Sequence, residues 1–208
     1  MKYRALTVSR EFGSGGGRIA QTIAGWLGWK LLDNEIITAI ARAAHVDSKV
    51  VRRYDEHVDS WLRRINEEAV RGVAMAAGQP LEEDEIFDAH AMNEMSQRTI
   101  EQAYEAGNCV IVGRGAQCIL RHKPDVFHVF VYAPLKERIL RLKKRLEPGA
   151  DIEQRLRKVD GERAKYLRQL FGQDWCSHQL YDLMVRSEED EDATAQVILY
   201  AMTGQEKA

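Results

Sequence analysis

Two patterns of apolar and polar positions take turns along this chain. One is a short, nearly continuous apolar run; the other places apolar residues three or four apart. The runs fall at 5–8, 29–33, 108–113, 126–132 and 181–186 and read as strands, those at 108–113 and 126–132 being continuous as buried parallel strands are. The helical spacing begins with Ile19, Ala20, Ile23, Ala24 and Leu27, with Gly28 as the stop. It resumes after Asn34, a candidate cap, with Ile36, Ile37, Ile40 and Ala44, and after Asp47 with Val50 and Val51. A longer helix is expected over 55–77, with Val58, Trp61, Leu62, Ile65, Ala69, Val70 and Val73 on one face, until Gly78-Gln79-Pro80 breaks it. Another runs from the acidic stretch 82–85, whose charge suits a helix start, to Ala106 before Gly107. Residues 45–106 are thus expected to form a nearly all-helical insertion between the second and third strands.

Past the fourth run, Pro134 opens a basic helix with Arg138, Arg141, Lys143, Lys144 and Arg145. Pro148-Gly149 interrupts it, and a second basic helix carries Arg155, Arg157, Lys158, Arg163, Lys165 and Arg168. A last helix is expected over 194–202. Strands alternating with helices predict an α/β fold with a parallel sheet and right-handed crossovers. Ligands of such sheets bind beyond the carboxyl ends of the strands. That edge should gather the glycine cluster after strand one, Asp33 after strand two and Arg114 after strand three.

The glycine cluster, Gly13-Ser14-Gly15-Gly16-Gly17-Arg18, lies between a strand and a helix, the layout that turns backbone N–H groups and a helix N-terminus onto an anion. It departs from the phosphate-loop pattern G-x-x-x-x-G-K-[ST]. With Gly13-Ser14-Gly15 leading into the helix, the lysine position is Gly16, the hydroxyl position is Gly17 and the first-glycine position is Arg10. Three consecutive glycines are costly to order, which favours a ligand over a bare turn.

Composition adds bounds. A chain of 208 residues, 45% hydrophobic and 30% charged, suits one globular domain. A net charge of −2 gives no electrostatic case for nucleic-acid binding, although the basic helices keep it as a minor alternative whose mark would be strong salt dependence. No apolar run approaches the ~20 residues of a membrane helix, and the N-terminus enters a strand at once, with no signal peptide. Cys109, Cys118 and Cys176 share no ligand spacing and read as reduced thiols of a cytoplasmic protein. The six histidines likewise suggest no metal site. Trp175, Tyr166 and Tyr181 are core residues or base-stacking ones. The 58–73 stripe is core or the face of a homodimer.

Several stretches together resemble the cytidylate kinase-like proteins, a branch of the P-loop nucleoside monophosphate kinases. They are Thr7-Val-Ser-Arg-Glu-Phe-Gly-Ser-Gly-Gly16, Leu32-Asp-Asn-Glu-Ile36, Val110-Ile-Val-Gly-Arg114, Val131-Tyr-Ala-Pro-Leu-Lys-Glu-Arg138 and Val159-Asp-Gly-Glu-Arg-Ala-Lys-Tyr166, followed by Trp175 and Tyr181-Asp-Leu183. The resemblance implies a single domain over 1–208 with a five-stranded parallel P-loop kinase core, three layers α/β/α. It implies a helical insert at about 45–106 on the acceptor side, and a basic helical lid at about 134–168 over the donor triphosphate. Asp33 and Arg114 are then substrate-binding, beside the acceptor nucleotide. Typical cytidylate kinases keep the loop lysine that this chain lacks.

The implied reaction carries a phosphoryl group from ATP to a small phosphorylated acceptor, CMP or a related nucleotide. It needs in-line positioning and positive charge, with Mg²⁺ on the phosphate oxygens, and no base, because an acceptor phosphate is already ionised. Arg10 and Arg18 beside the loop, with Arg141, Arg145 and Arg163 swinging in on the lid, are expected to replace the lysine, and Arg114 to act with them. Gly13, Ser14, Gly15, Gly16 and Gly17 would hold the nucleotide's phosphates. Gly17 and Arg18 offer Mg²⁺ no hydroxyl. The loss of the lysine also supports a different class, a regulatory module that binds a nucleotide without turning it over.

Overall fold

The computed structural model describes residues 2–33, 83–144, 151–187 and 189–204, with side chains in the helix that opens at Glu83 described at 94 and from 96 onward. The expectations for 34–82, including the 58–73 stripe, and those for Arg145 and Pro148-Gly149 lie outside these residues.

Five parallel strands form one sheet: β1 (Ala5–Arg10), β2 (Lys30–Leu32), β3 (Cys109–Val112), β4 (Val126–Tyr132) and β5 (Leu183–Arg186), in the order β2-β3-β1-β4-β5. The described helices are α1 (Gly16–Leu27), α2 (Glu83–Ala106), α3 (Ala116–Ile119), α4 (Leu135–Lys143), α5 (Ile152–Phe171) and α6 (Glu191–Thr203).

Side-chain alternation along the strands divides the core between the two faces. Leu6 and Val8 of β1, Val110 and Val112 of β3, and Phe127, Val129 and Val131 of β4 pack against Ile19, Ala20 and Ile23 of α1 and Ala195, Ile198 and Leu199 of α6. Opposite them, Ala5, Cys109, Ile111 and Val126 meet Ile100 and Tyr104 of α2 and Ala116 and Leu120 at α3. Further along that face, Phe130 meets Tyr166 and Leu167 of α5, Trp175 and Leu180. The result is the expected three-layer α/β/α arrangement.

Three details refine the sequence reading. β1 continues through the polar Ser9 and Arg10, because both stay paired with Phe130 and Val131 of β4. β5 opens at Leu183 rather than Tyr181, since the Asp182 carboxylate turns back to accept from His128 N at 2.7 Å. The end of α2, expected within an acceptor-side insert, is instead the crossover packed under β3, with Ile100 fully buried. No helix among the described residues is long and apolar enough to cross a membrane.

Candidate active site

The turn from β1 into α1 spans Glu11 to Gly15. Gly15 has φ +84° and caps α1 with no side-chain bond, so the first turn of the helix is left to other partners. A Cβ there would come within 2.7 Å of Glu191 Oε1, the movable end of a side chain, so it is the positive φ that favours glycine at this point.

Arginines hold every second carbonyl of this turn. Arg163 Nη1 donates to Arg10 O at 2.8 Å, Arg138 Nη1 to Phe12 O at 3.2 Å, and Arg141 Nη1 to Ser14 O at 2.8 Å. Ser187 Oγ also donates to Ser14 O, at 2.6 Å. Asp160 completes the set, accepting from Phe12 N at 2.7 Å and pairing with Arg138, which also lies 3.5 Å from Glu11. Ser14 is fully buried, and its Oγ accepts from Gly16 N at 3.4 Å. No protein bond among the described residues takes the amides of Gly13, Gly15 and Gly17. Those three glycines line a cavity of about 520 Å³. The turn thus has its carbonyls held by arginines, while glycines with unbonded amides and the start of α1 line that space, a setting that suits an anion.

Arg10, Gly16, Arg18, Asp33 and Arg163 line the same cavity. Arg10 Nη2 is 3.9 Å from Asp33 Oδ1; burial lowers the affinity of Arg10 for its proton and Asp33 raises it. Arginine remains charged throughout. Arg18, largely exposed, pairs with Glu191 at 3.2 Å. Phe12 lies under the Arg163 guanidinium, 5.9 Å from the ring centre.

The other expected site residues stand differently. Arg141 is absent from the cavity lining and bonds Ser14 and Ser187. Arg114 follows β3 as expected, outside the lining, in a left-handed conformation at φ +56° between Gly113 and Gly115, both also at positive φ. A non-glycine residue held this way stores about 1–2 kcal/mol of strain, of the kind concentrated at functional sites. The Tyr166 hydroxyl supports the Arg114 carbonyl at 3.4 Å, and burial pushes the phenol up to about 12, which keeps it a donor. Tyr166 and Trp175 are buried in the aromatic core around Phe130, and the partly buried Tyr181 packs against it. His128 is buried, its Nδ1 2.7 Å from Thr7 Oγ1, as a core histidine would be.

Sequence reasoning missed Asp160, Arg138, Ser187 and Glu191 as parts of the site. Arg138 and Asp160 lie within the stretches that carry the family resemblance, but they pair with each other and with backbone atoms of the turn across a long stretch of chain, contacts that no local spacing encodes. Among the described residues no group of three or more His, Cys, Asp or Glu could hold a metal ion. The turn suits phosphate by its amides and cations. It does not supply the hydroxyl that a phosphate loop gives Mg²⁺, because Gly17 stands there and Ser14 is buried.

A five-stranded parallel sheet covered on both faces, with a glycine turn joining its first strand and helix, is the P-loop kinase fold. Over residues 5–189 the chain matches the cytidylate kinase-like family, and it belongs to that family. No curated protein matches it. Among solved structures it is similar to an uncharacterized protein from Eubacterium ventriosum, with 19% identity over 97% of this chain and 99% of the other, and a TM-score of 0.66. It is also similar to shikimate kinase from Acinetobacter baumannii in complex with shikimate, at 14% identity, 97% and 94% coverage and a TM-score of 0.53. Shikimate kinase from Bacteroides thetaiotaomicron gives 15%, 97% and 98%, and 0.54. At these identities the likeness is one of fold.

Proposed function

We propose that the protein transfers the γ-phosphoryl group of ATP to a small phosphorylated acceptor, with CMP or a related nucleoside monophosphate the first candidate. The observation that carries this reading is the cavity lined together by Gly13, Gly15 and Gly17, whose amides take no protein bond among the described residues, and by Arg10, Arg18, Asp33 and Arg163. The amides and α1 hold the donor phosphates, and the arginines offset the charge that spreads over the moving group. An oxygen of the acceptor phosphate attacks the γ-phosphorus, the bond to the β–γ bridging oxygen breaks, and ADP leaves. Arg114 at the head of β3 holds the acceptor phosphate. Asp33, a carboxylate that only accepts hydrogen bonds, suits a hydroxyl or amino group of the acceptor rather than its phosphate. Arg141 acts through Ser14, by keeping the turn in shape. Mg²⁺, carried on the nucleotide, would neutralise phosphate oxygens, and no step here depends on a protein ligand to it.

Gly16 in the lysine position favours one other reading, a module that binds a nucleotide without turning it over. Coupled ADP release with ATP and Mg²⁺, run against nucleoside monophosphates and small phosphorylated metabolites, separates the two. Acceptor-dependent turnover is expected; silence across the panel with ATP bound would leave the regulatory module. With an active acceptor, Arg114→Ala should raise the acceptor KM by about tenfold or more while ATP affinity holds, as loss of one charge-assisted contact implies. An unchanged KM would remove Arg114 from the acceptor site.

A further inference from the structure

Arg10 ends β1 and Gly16 begins α1, and the fold brings them into contact. A Cβ on Gly16 would stand 2.5 Å from Arg10 Cβ, 3.1 Å from its Cγ and 3.3 Å from Val131 Cβ. The first of these atoms is fixed to a strand and cannot swing away. At the far end of the same side chain, a Cβ on Gly113 would stand 2.1 Å from Arg10 Nη1. One arginine thus lies against two glycines, its stem against Gly16 and its head against Gly113, where φ +78° already favours glycine. Its head then lies between the turn after β1 and the head of β3, the strand that pairs with β1.

Counted back from α1, the phosphate-loop pattern puts a glycine at position 10 and the lysine at position 16. Here the long cation and the small residue have changed places. We propose that Arg10 is the phosphate-binding cation of this turn, delivered from the strand side, and that Gly16 is glycine to let its side chain pass. The inference rests on the phosphoryl-transfer reading and gives the missing lysine a replacement at one atom-level position. Arg10 also differs from the structural arginines nearby. Arg138 engages Asp160 and Phe12 O closely, whereas the contact of Arg10 with Asp33 is 3.9 Å, and the Asp33 side chain is 41% exposed. A guanidinium has five N–H donors, so that contact leaves donors for phosphate oxygens.

The test is calorimetric titration of ATP and of inorganic tripolyphosphate into wild type, Arg10→Ala, Gly16→Lys and the exchanged pair R10G/G16K. Arg10→Ala should weaken both ligands by about tenfold or more, as expected for charge-assisted bonds to phosphate. Gly16→Lys should weaken them similarly, because two long side chains then contend for one space. The exchanged pair should recover most of the loss. Wild-type affinity in Arg10→Ala, or an exchanged pair no better than Gly16→Lys, would overturn the inference while leaving phosphoryl transfer standing. Failure of wild type to bind either ligand would take down the phosphoryl-transfer reading and this inference with it. Arg10→Ala introduces no new contact, so it carries the test alone if thermal unfolding shows Gly16→Lys to be misfolded.

Discussion

On the basic helices α4 and α5, Arg138, Arg141 and Arg163 each direct a guanidinium N–H to a backbone carbonyl of the glycine turn, at Phe12, Ser14 and Arg10 in turn. Arg10, at the end of β1, makes no such bond among the described residues; its side chain passes Gly16 and Gly113 into the cavity beside Asp33. Four arginines of equal charge therefore divide between shaping the turn and, on our reading, meeting its ligand. A glycine-rich segment loses much conformational freedom on ordering, so it needs outside ties. The helix arginines supply them, and Arg163, which also lines the cavity, stands on both sides of the division.

The sharpest way to break this contrast is Arg138→Ala. It leaves Glu11 without its cation, Asp160 with only Arg163 at 3.7 Å and Phe12 O without its donor, which should cost about 3–5 kcal/mol of unfolding free energy in denaturant titration. A loss under about 1 kcal/mol would mean that Arg138 does not hold the turn. Arg141→Ala should cost about 1.5–3 kcal/mol, the worth of charged hydrogen bonds to Ser14 and Ser187. Smaller still is the contrast between adjacent glycines. Gly16→Ala, pressed against Arg10, should destabilise by about 1–3 kcal/mol, whereas Gly17→Ala meets nothing among the described residues within 4 Å and should stabilise α1 by up to about 1 kcal/mol. Equal melting shifts for the two would show that Arg10 does not occupy the space beside Gly16.

Much of this was legible before the fold was known. The five runs are the five strands, with β4 at its expected bounds; β3 and β4, buried almost throughout, show as continuous apolar runs because a strand covered on both faces needs no alternation to be seen. The departure at Gly16 was equally plain, since a motif fixes its own spacing. What it meant was not, because the contact with Arg10 depends on how a strand end and a helix start meet in space. The arginine-rich helices could be counted, but a side chain that bonds a backbone carbonyl leaves no partner in the sequence. Arg141 was accordingly expected to swing toward the phosphates, and it sits on the Ser14 carbonyl instead. The left-handed turn at Arg114 and its flanking glycines is a finding of the structure, beside a position that the sequence marked only as a candidate acceptor contact.

The most direct measurement titrates MgATP into wild type, Arg10→Ala and Arg141→Ala, and follows thermal unfolding on the same samples. Arg10→Ala should lose affinity by about tenfold or more while melting within a few degrees of wild type, the range that about 1 kcal/mol produces in a chain of this size. Arg141→Ala should melt clearly lower. Arg10→Ala that binds MgATP like wild type, or that loses stability as Arg141→Ala does with no change in binding, would contradict the division of labour described here.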